Sequence, residues 1–515
     1  MRKKSYYCRI ALLLGCCWCL NFVIAYCAGV GPVDESWFLQ VVNRVSEGDV
    51  LYRDVFFGAT PLSVYLSALL FKIFGSELLV IKLFGALITT GSALLGARVY
   101  MQLTRQTSFP VGLMLVCSLL GNYWFGGGSL YSPLAYLFFL WAFNAFIEWK
   151  EAVARGGPYH NYLIKIGILT ALCLLSKQNI GILLGIAIVA SIAASAIQLR
   201  WPAVKLLRAN LFIGLPLLAI LCLGLMPLLL SGAGPSFLEY GFSGNSKYLR
   251  FGGVSYLEGL TELWPALYTY FSFGTIRWAI HCIDFAIPVL FLLLLFPMFI
   301  FARQDWGLKV AVVTFFACAF FGSYPRYDYY HLSHTVPALA PILWAVSHWL
   351  LSKFPILTWL GHGITLAIAL SAFAGMVIEP LSGLIAGKYT ISKLPHFSNT
   401  LFLSDTYKEF ESNKDRLKTY YASKHPFFCM PHASFYYLAG GFKNPTPYDY
   451  CLKTSLGRNG ELRLIEQIQG KEIEDVCWKS FGNEKLEAAA LSLFVNQDML
   501  DKGDQKACRA FRVAN

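Results

Sequence analysis

Apolar runs recur along this chain at 10–31, 79–103, 109–126, 130–149, 161–176, 180–198, 209–231, 279–302, 308–322, 335–351 and 356–378. Inside hydrocarbon every backbone amide must find its partner within its own segment, so repeated runs of this kind fold as spanning helices. The pattern predicts about eleven spans. A composition that is 56% hydrophobic and only 14% charged excludes the ordinary soluble classes. Residues 62–74 are apolar but short for a span, and are expected to lie flat on the outer surface. The basic start MRKK would suit a secretory leader, yet run 10–31 is longer than a leader's apolar core and Tyr26 spoils the small-residue cleavage pattern, so it reads as an uncleaved first span.

Lys and Arg fix the expected orientation. Arg2, Lys3, Lys4, Arg98, Arg105, Lys150, Arg155, Arg200, Lys205, Arg208, Arg303, Lys309 and Lys353 fall on alternate connections, which makes that side cytoplasmic. The loops left outside are 32–78, 127–129, 177–179, 232–278 and 323–334, and the tail is outside as well. The net charge of +12 comes mainly from these span ends, with no basic patch or motif for nucleic acid.

Residues 379–515 hold roughly half of the charged side chains in about a quarter of the length. The expected organisation is therefore a membrane region, 1–378, followed by a soluble extracytoplasmic α/β domain, 379–515. In that tail 427–430 reads as a strand, 433–438 as a short helix, 444–448 (NPTPY) as a rigid loop, and 464–468 and 486–495 as helices. Cys429, Cys451, Cys477 and Cys508 could form one or two disulfides in an oxidising compartment.

The strongest chemical signal is the first outer loop, whose residues 31–61 read GPVDESWFLQVVNRVSEGDVLYRDVFFGATP. Asp34 and Glu35 open an amphipathic run in which Trp37, Phe38, Val41, Val42 and Val45 recur at helical spacing, with Gln40, Asn43, Arg44 and Glu47 between them. Such a helix lies along a membrane surface and sets the two acids at the water–lipid boundary. They could simply complement the helix N-terminus. Alternatively, like charges and partial desolvation raise one pKa and produce a general base.

This layout of a first span, an outward Asp-Glu, a surface helix and a Tyr-Arg-Asp loop resembles the GT-C type glycosyltransferases that use polyprenyl-phosphate sugars. That group includes the protein O-mannosyltransferases and the lipid A aminoarabinose transferases. The resemblance covers the layout of 10–350 and is specific in the first outer loop. It implies a GT-C-like membrane fold and a catalytic carboxylate at Asp34, with Glu35 beside it. Ser132 departs from the pattern, since an acidic residue often stands there before the Pro, and this leaves a divalent cation open.

Other residues carry two readings each. Arg53 either pairs with Asp54 or meets donor phosphate. Lys177, in Lys-Gln-Asn between two runs, either snorkels or binds phosphate. In SYPRYDYYHLSH, 323–334, the aromatic residues suit an interfacial belt, while Arg326 and His331 suit a donor phosphate and Tyr327, Asp328 and His334 an acceptor. The D-x-x-H-x-x-H spacing is a weak metal signal, and no metal ligand is assigned. Lys247, Arg250, Arg277, His281 and Asp284 are further candidates in or just past loop 232–278; His432, Tyr436, Asn444 and Asp449 suit turn or core roles, or an acceptor cleft.

The expected function is an integral membrane glycosyltransferase of a bacterial inner membrane, N-terminus cytoplasmic and C-terminal domain periplasmic. It would move a sugar from a polyprenyl-phosphate donor to an envelope lipid, glycan or protein. A polyprenyl phosphate leaves without protonation, so one base plus phosphate-holding cations suffices for an inverting displacement. A transporter or flippase of lipid-linked sugars and a non-catalytic membrane scaffold are the alternatives. Ions kept to span ends and the absence of an inverted repeat weigh against the flippase.

Overall fold

The computed structural model describes residues 2–31, 33–106, 110–121, 130–243, 249, 252–261, 275–352, 354–420, 427–430, 434–449, 456, 459–469, 475–478 and 509–512. The chain divides into two compact units. One comprises Met1–Ala28, Leu83–Gly224 and Val254–Ser382; the other comprises Gly29–Lys82, Leu225–Gly253 and Gly383–Asn515.

The first unit is helical. It contains α1 (Arg2–Cys27), most of α4 (Leu78–Thr104), α5 (Pro110–Gly121), α6 (Tyr131–Ala154), α7 (His160–Ser176), α8 (Gln178–Gln198) and most of α9 (Ala203–Leu230). After the loop come α11 (Thr275–Phe301), α12 (Trp306–Phe321), the short α13 (Tyr329–Ser333), α14 (Val336–Leu351), α15 (Pro355–Phe373), a π-turn (Ala374–Ile378) and the start of α16 (Glu379–Ile385). Each expected apolar run contains a helix. Among the described residues five stretches are long and apolar enough to cross a membrane: Leu78–Thr104, Gln178–Gln198, Ala203–Leu230, Asp284–Phe301 and Gly363–Ile385.

Packing in this unit follows aromatic and small side chains. Phe315 of α12 stacks on Phe143 of α6 at 4.0 Å, and Phe291 of α11 stacks on Phe316 at 3.7 Å. A Cβ on Gly167 would lie 2.2 Å from the carbonyl oxygen of Ile213, so glycine there lets α7 touch the backbone of α9. Charges collect where helices turn. Glu148 pairs with Arg98 and Lys165, Glu151 with Arg105 and Arg155, and Lys150 with Asp305 at 2.8 Å. These are the ions of the connections read as one side of the membrane.

The second unit gathers α2 (Asp34–Glu47), α3 (Leu62–Phe74), α10 (Gly234–Leu238), a π-turn (Glu239–Ser243) and the tail. The tail contains β1 (Tyr389–Ile391), β2 (Leu401–Leu403), α17 (Ser404–Tyr420), β3 (Phe427–Met430), α18 (Ser434–Gly440), α19 (Gly460–Gln469), β4 (Asp475–Trp478) and β5 (Arg509–Arg512). β1 and β2 are antiparallel, with Thr390 opposite Phe402; β4 lies between parallel β3 and antiparallel β5. Strand 427–430 and the helices at 434–440 and 460–469 match the sequence reading. The helix expected at 486–495 and the side chains of the four tail cysteines lie outside the described residues.

The tail does not stand alone but packs with the first outer loop, and one arginine shows why. Arg44 was read as part of a polar stripe, yet it is buried. Its Nε donates to Asp49 at 2.8 Å, Nη1 to Asp449 at 3.1 Å and the Thr446 carbonyl at 2.9 Å, and Nη2 to the Asp54 carbonyl at 2.7 Å. Asn444 donates to Asp449 at 2.8 Å and to the Tyr448 carbonyl at 2.9 Å, which rigidifies the NPTPY loop. The Phe56 amide donates to the Pro447 carbonyl at 2.8 Å. Gln40 and Asn43 are buried too, so α2 is enclosed by protein on its polar side.

Removing Asp449 leaves the buried Arg44 guanidinium with one carboxylate, Asp49, where it had two. Asp449→Ala should lower unfolding stability by about 1–3 kcal/mol in denaturation of the purified protein. A loss below about 1 kcal/mol would show the pair to be incidental.

Candidate functional site

Asp34 is the first residue of α2 and is exposed. No side chain caps this helix at Val33, and its first turn carries both acids, Asp34 and Glu35, where negative charge suits the helix N-terminus. The two acids have different surroundings. Glu35 is buried, its Oε2 accepts from the Gly31 amide at 2.7 Å, and its Oε1 lies 3.0 Å from Lys82 Nζ. Burial pushes the Glu35 carboxyl up, against the opposing pull of Lys82 and the Gly31 amide. Desolvation, and not a shared charge with Asp34, is therefore what perturbs Glu35.

Arg53 is exposed and grips Asp54 with two nearly parallel bonds, Nε to Oδ1 at 2.9 Å and Nη2 to Oδ2 at 2.8 Å. Hydrogen bonding and charge from Arg53 hold Asp54 below the usual carboxylate range. The geometry is that of the local ion pair.

In the helical unit, the Lys177 connection and the 323–334 loop come together. Lys177 is extended between α7 and α8, and its Nζ donates to Ser132 Oγ at 2.9 Å, 5.3 Å from the centre of the Tyr131 ring. Asn179 Nδ2 donates to the carbonyls of Gly322 at 3.1 Å and Tyr324 at 3.0 Å, seating the start of α8 against the second loop. Burial pushes the Lys177 ammonium down to about 8.

Asp328 organises that loop. It caps α13 by accepting from the His331 amide at 3.0 Å; the same Oδ1 lies 2.7 Å from His331 Nδ1, and Oδ2 accepts from Arg326 Nε at 2.8 Å. Burial would raise its pKa, but the His331 and Arg326 contacts outweigh it and hold the carboxyl well below the usual range. Burial lowers His331, offset by Asp328 and reinforced by Lys177 and Arg326. His334 is buried and pushed down to about 3, with His331 and Lys177 adding to the burial effect. The D-x-x-H spacing is thus a helix cap. Among the described residues no group of three or more His, Cys, Asp or Glu is placed to hold a metal ion.

The structure brings together Lys177, Arg326, Asp328, His331 and His334. Tyr327 packs instead with Tyr256 and Phe320, its amide donating to the Val254 carbonyl at 2.9 Å. Asp284 is buried in α11, its Oδ1 without a hydrogen-bond partner among the described residues. Asn444 and Asp449 take core roles, as does Tyr436, whose hydroxyl accepts from Asn413 at 3.1 Å. Lys247, Arg250, His432 and the side chains of Arg277 and His281 lie outside the described residues. Sequence reasoning missed Ser132 as the acceptor for Lys177, and it missed Lys82, a lone charge in the first turns of run 79–103.

No protein-family model and no curated protein sequence matches the chain. Its structure is similar to ArnT from Cupriavidus metallidurans bound to undecaprenyl phosphate, with TM-score 0.56, 12% identity and 97% of each chain covered. It is similar to the apo state of the same protein, with TM-score 0.57, 12% identity and 98% of each chain covered.

Asp328→Asn should loosen the loop, costing about 1.5–3 kcal/mol for hydrogen bonds to a charged group. Because the folded-state pKa is depressed, wild-type Asp328 contributes stability above the unfolded carboxylate pKa and loses it only in stronger acid. The difference between wild type and variant in acid unfolding should therefore be full near neutrality and shrink as pH falls below about 4. A pH-independent difference would contradict this. The chain thus shares the fold of ArnT, an α-helical membrane fold.

Proposed function

We propose that the protein is an integral membrane glycosyltransferase. It takes a sugar from a polyprenyl-phosphate donor on the outer face of a bacterial inner membrane and transfers it to an envelope lipid, glycan or protein. What carries the reading is an exposed acid opening α2 in a chain that shares ArnT's fold from end to end, one ArnT structure having undecaprenyl phosphate bound.

Asp34 acts as general base and removes the proton of the acceptor hydroxyl as that oxygen attacks the anomeric carbon. The bond to the phosphate oxygen breaks on the opposite side, so the anomeric configuration inverts. The departing phosphate is a stable anion and needs charge stabilisation more than a proton. Arg326 and Lys177 supply that charge, with His331 oriented by Asp328. Arg53, already held by Asp54, adds positive charge near the donor more than a free fork. Glu35 supports Asp34 or orients the acceptor, and the tail selects the acceptor.

Asp34→Asn tests the reading in nanodiscs, with labelled lipid-linked sugars from native envelopes as donors. Transfer should fall by about 10²–10⁴-fold while donor binding is kept. Unchanged transfer would overturn the assignment. Lys177 adds a pH signature. With its pKa near 8, the ammonium is charged below that pH and neutral above it, so donor affinity should weaken as pH rises through about 8. Lys177→Arg should bind with no such loss. Equal pH profiles for the two would remove Lys177 from the phosphate site.

A further inference from the structure

Lys82 lies in the first turns of α4 with its side chain 1% exposed. Its Nζ sits 3.0 Å from Glu35 Oε1 and donates to the Gly29 carbonyl at 2.8 Å, while Glu35 Oε2 takes the Gly31 amide at 2.7 Å. One buried ion pair thus fastens the chain at Gly29, Gly31 and Glu35, and Asp34 lies between the last two. Gly29 has φ +73°, and a Cβ there would stand 3.1 Å from the Leu401 carbonyl oxygen, so this backbone is held from the tail side as well. The Trp37 amide donates to the Val33 carbonyl at 2.9 Å, which carries the same constraint into the first turn of α2.

Two charges of this burial add little to stability over an apolar pair of equal volume, because desolvation cancels most of their attraction. What an apolar pair cannot supply is direction. The ammonium and carboxylate engage two particular backbone groups, the Gly29 carbonyl and the Gly31 amide, in the segment that leads into Asp34.

We propose that Lys82 is a positioning residue for Asp34. Held against Glu35 and the Gly29 carbonyl, it sets the backbone at Gly29 and Gly31 and so the place where the Asp34 carboxylate meets the acceptor hydroxyl. The proposal rests on Asp34 being the base. Displacing a base by about 1 Å costs on the order of 10²-fold in rate without altering the hold on the donor.

The test is the double variant Glu35→Met/Lys82→Met, which replaces the pair by apolar side chains of similar length. It should unfold within a few degrees of wild type and keep the donor KM, while kcat falls at least tenfold. A merely structural pair predicts that kcat returns with stability; wild-type kcat, or a raised KM with kcat kept, would overturn the proposal. Should the double variant not fold, Glu35→Asp decides. It keeps both charges but withdraws the carboxylate by one methylene, and kcat should again fall about tenfold at unchanged KM, whereas wild-type kcat would overturn the proposal. Asp34→Asn, assayed beside them, separates the two readings. If it keeps its rate, the base assignment itself fails; if it is inactive while the Glu35 and Lys82 variants turn over normally, only the role of Lys82 fails.

Discussion

Hydrocarbon penalises any charge that lacks a partner, and the ion pairs of the helical unit and the buried cations of the other unit answer that penalty. In the helical unit, Glu148 and Glu151 draw the arginines and lysines of successive connections together. Lys177 sits where two helices meet, and its charge rests on a hydroxyl and an aromatic face. In the other unit the buried cations Arg44 and Lys82 each reach a carboxylate and a backbone carbonyl.

The proposed transfer needs no general acid, because a lipid phosphate leaves as a stable anion. In the helical unit a group of cations and imidazoles is ordered by Asp328, whose two oxygens are occupied by His331 and Arg326. Asp328 therefore suits an orienting role better than contact with an acceptor.

Much of this was legible in the sequence because it depends on local pattern. The apolar runs became helices, the spacing of Phe38, Val41, Val42 and Val45 became α2, and 427–430 became a strand. Long-range partners were not legible. The polar stripe of α2 looked solvated because nothing near Arg44 in sequence announces Asp449, about 400 residues away. D-x-x-H resembled metal spacing because a helix cap and a ligand pair both favour an Asp followed three residues later by a donor. Lys82 was hidden by its apolar neighbours, and Glu35 was grouped with Asp34 although burial separates the two acids.

Everything turns on which side of the membrane Asp34 occupies. Asp34→Cys, placed in a chain cleared of other reactive thiols, can be challenged in intact spheroplasts with a maleimide that does not cross lipid. The account predicts labelling from outside before any permeabilisation. Labelling only after the membrane is opened to the cytoplasmic side would contradict it.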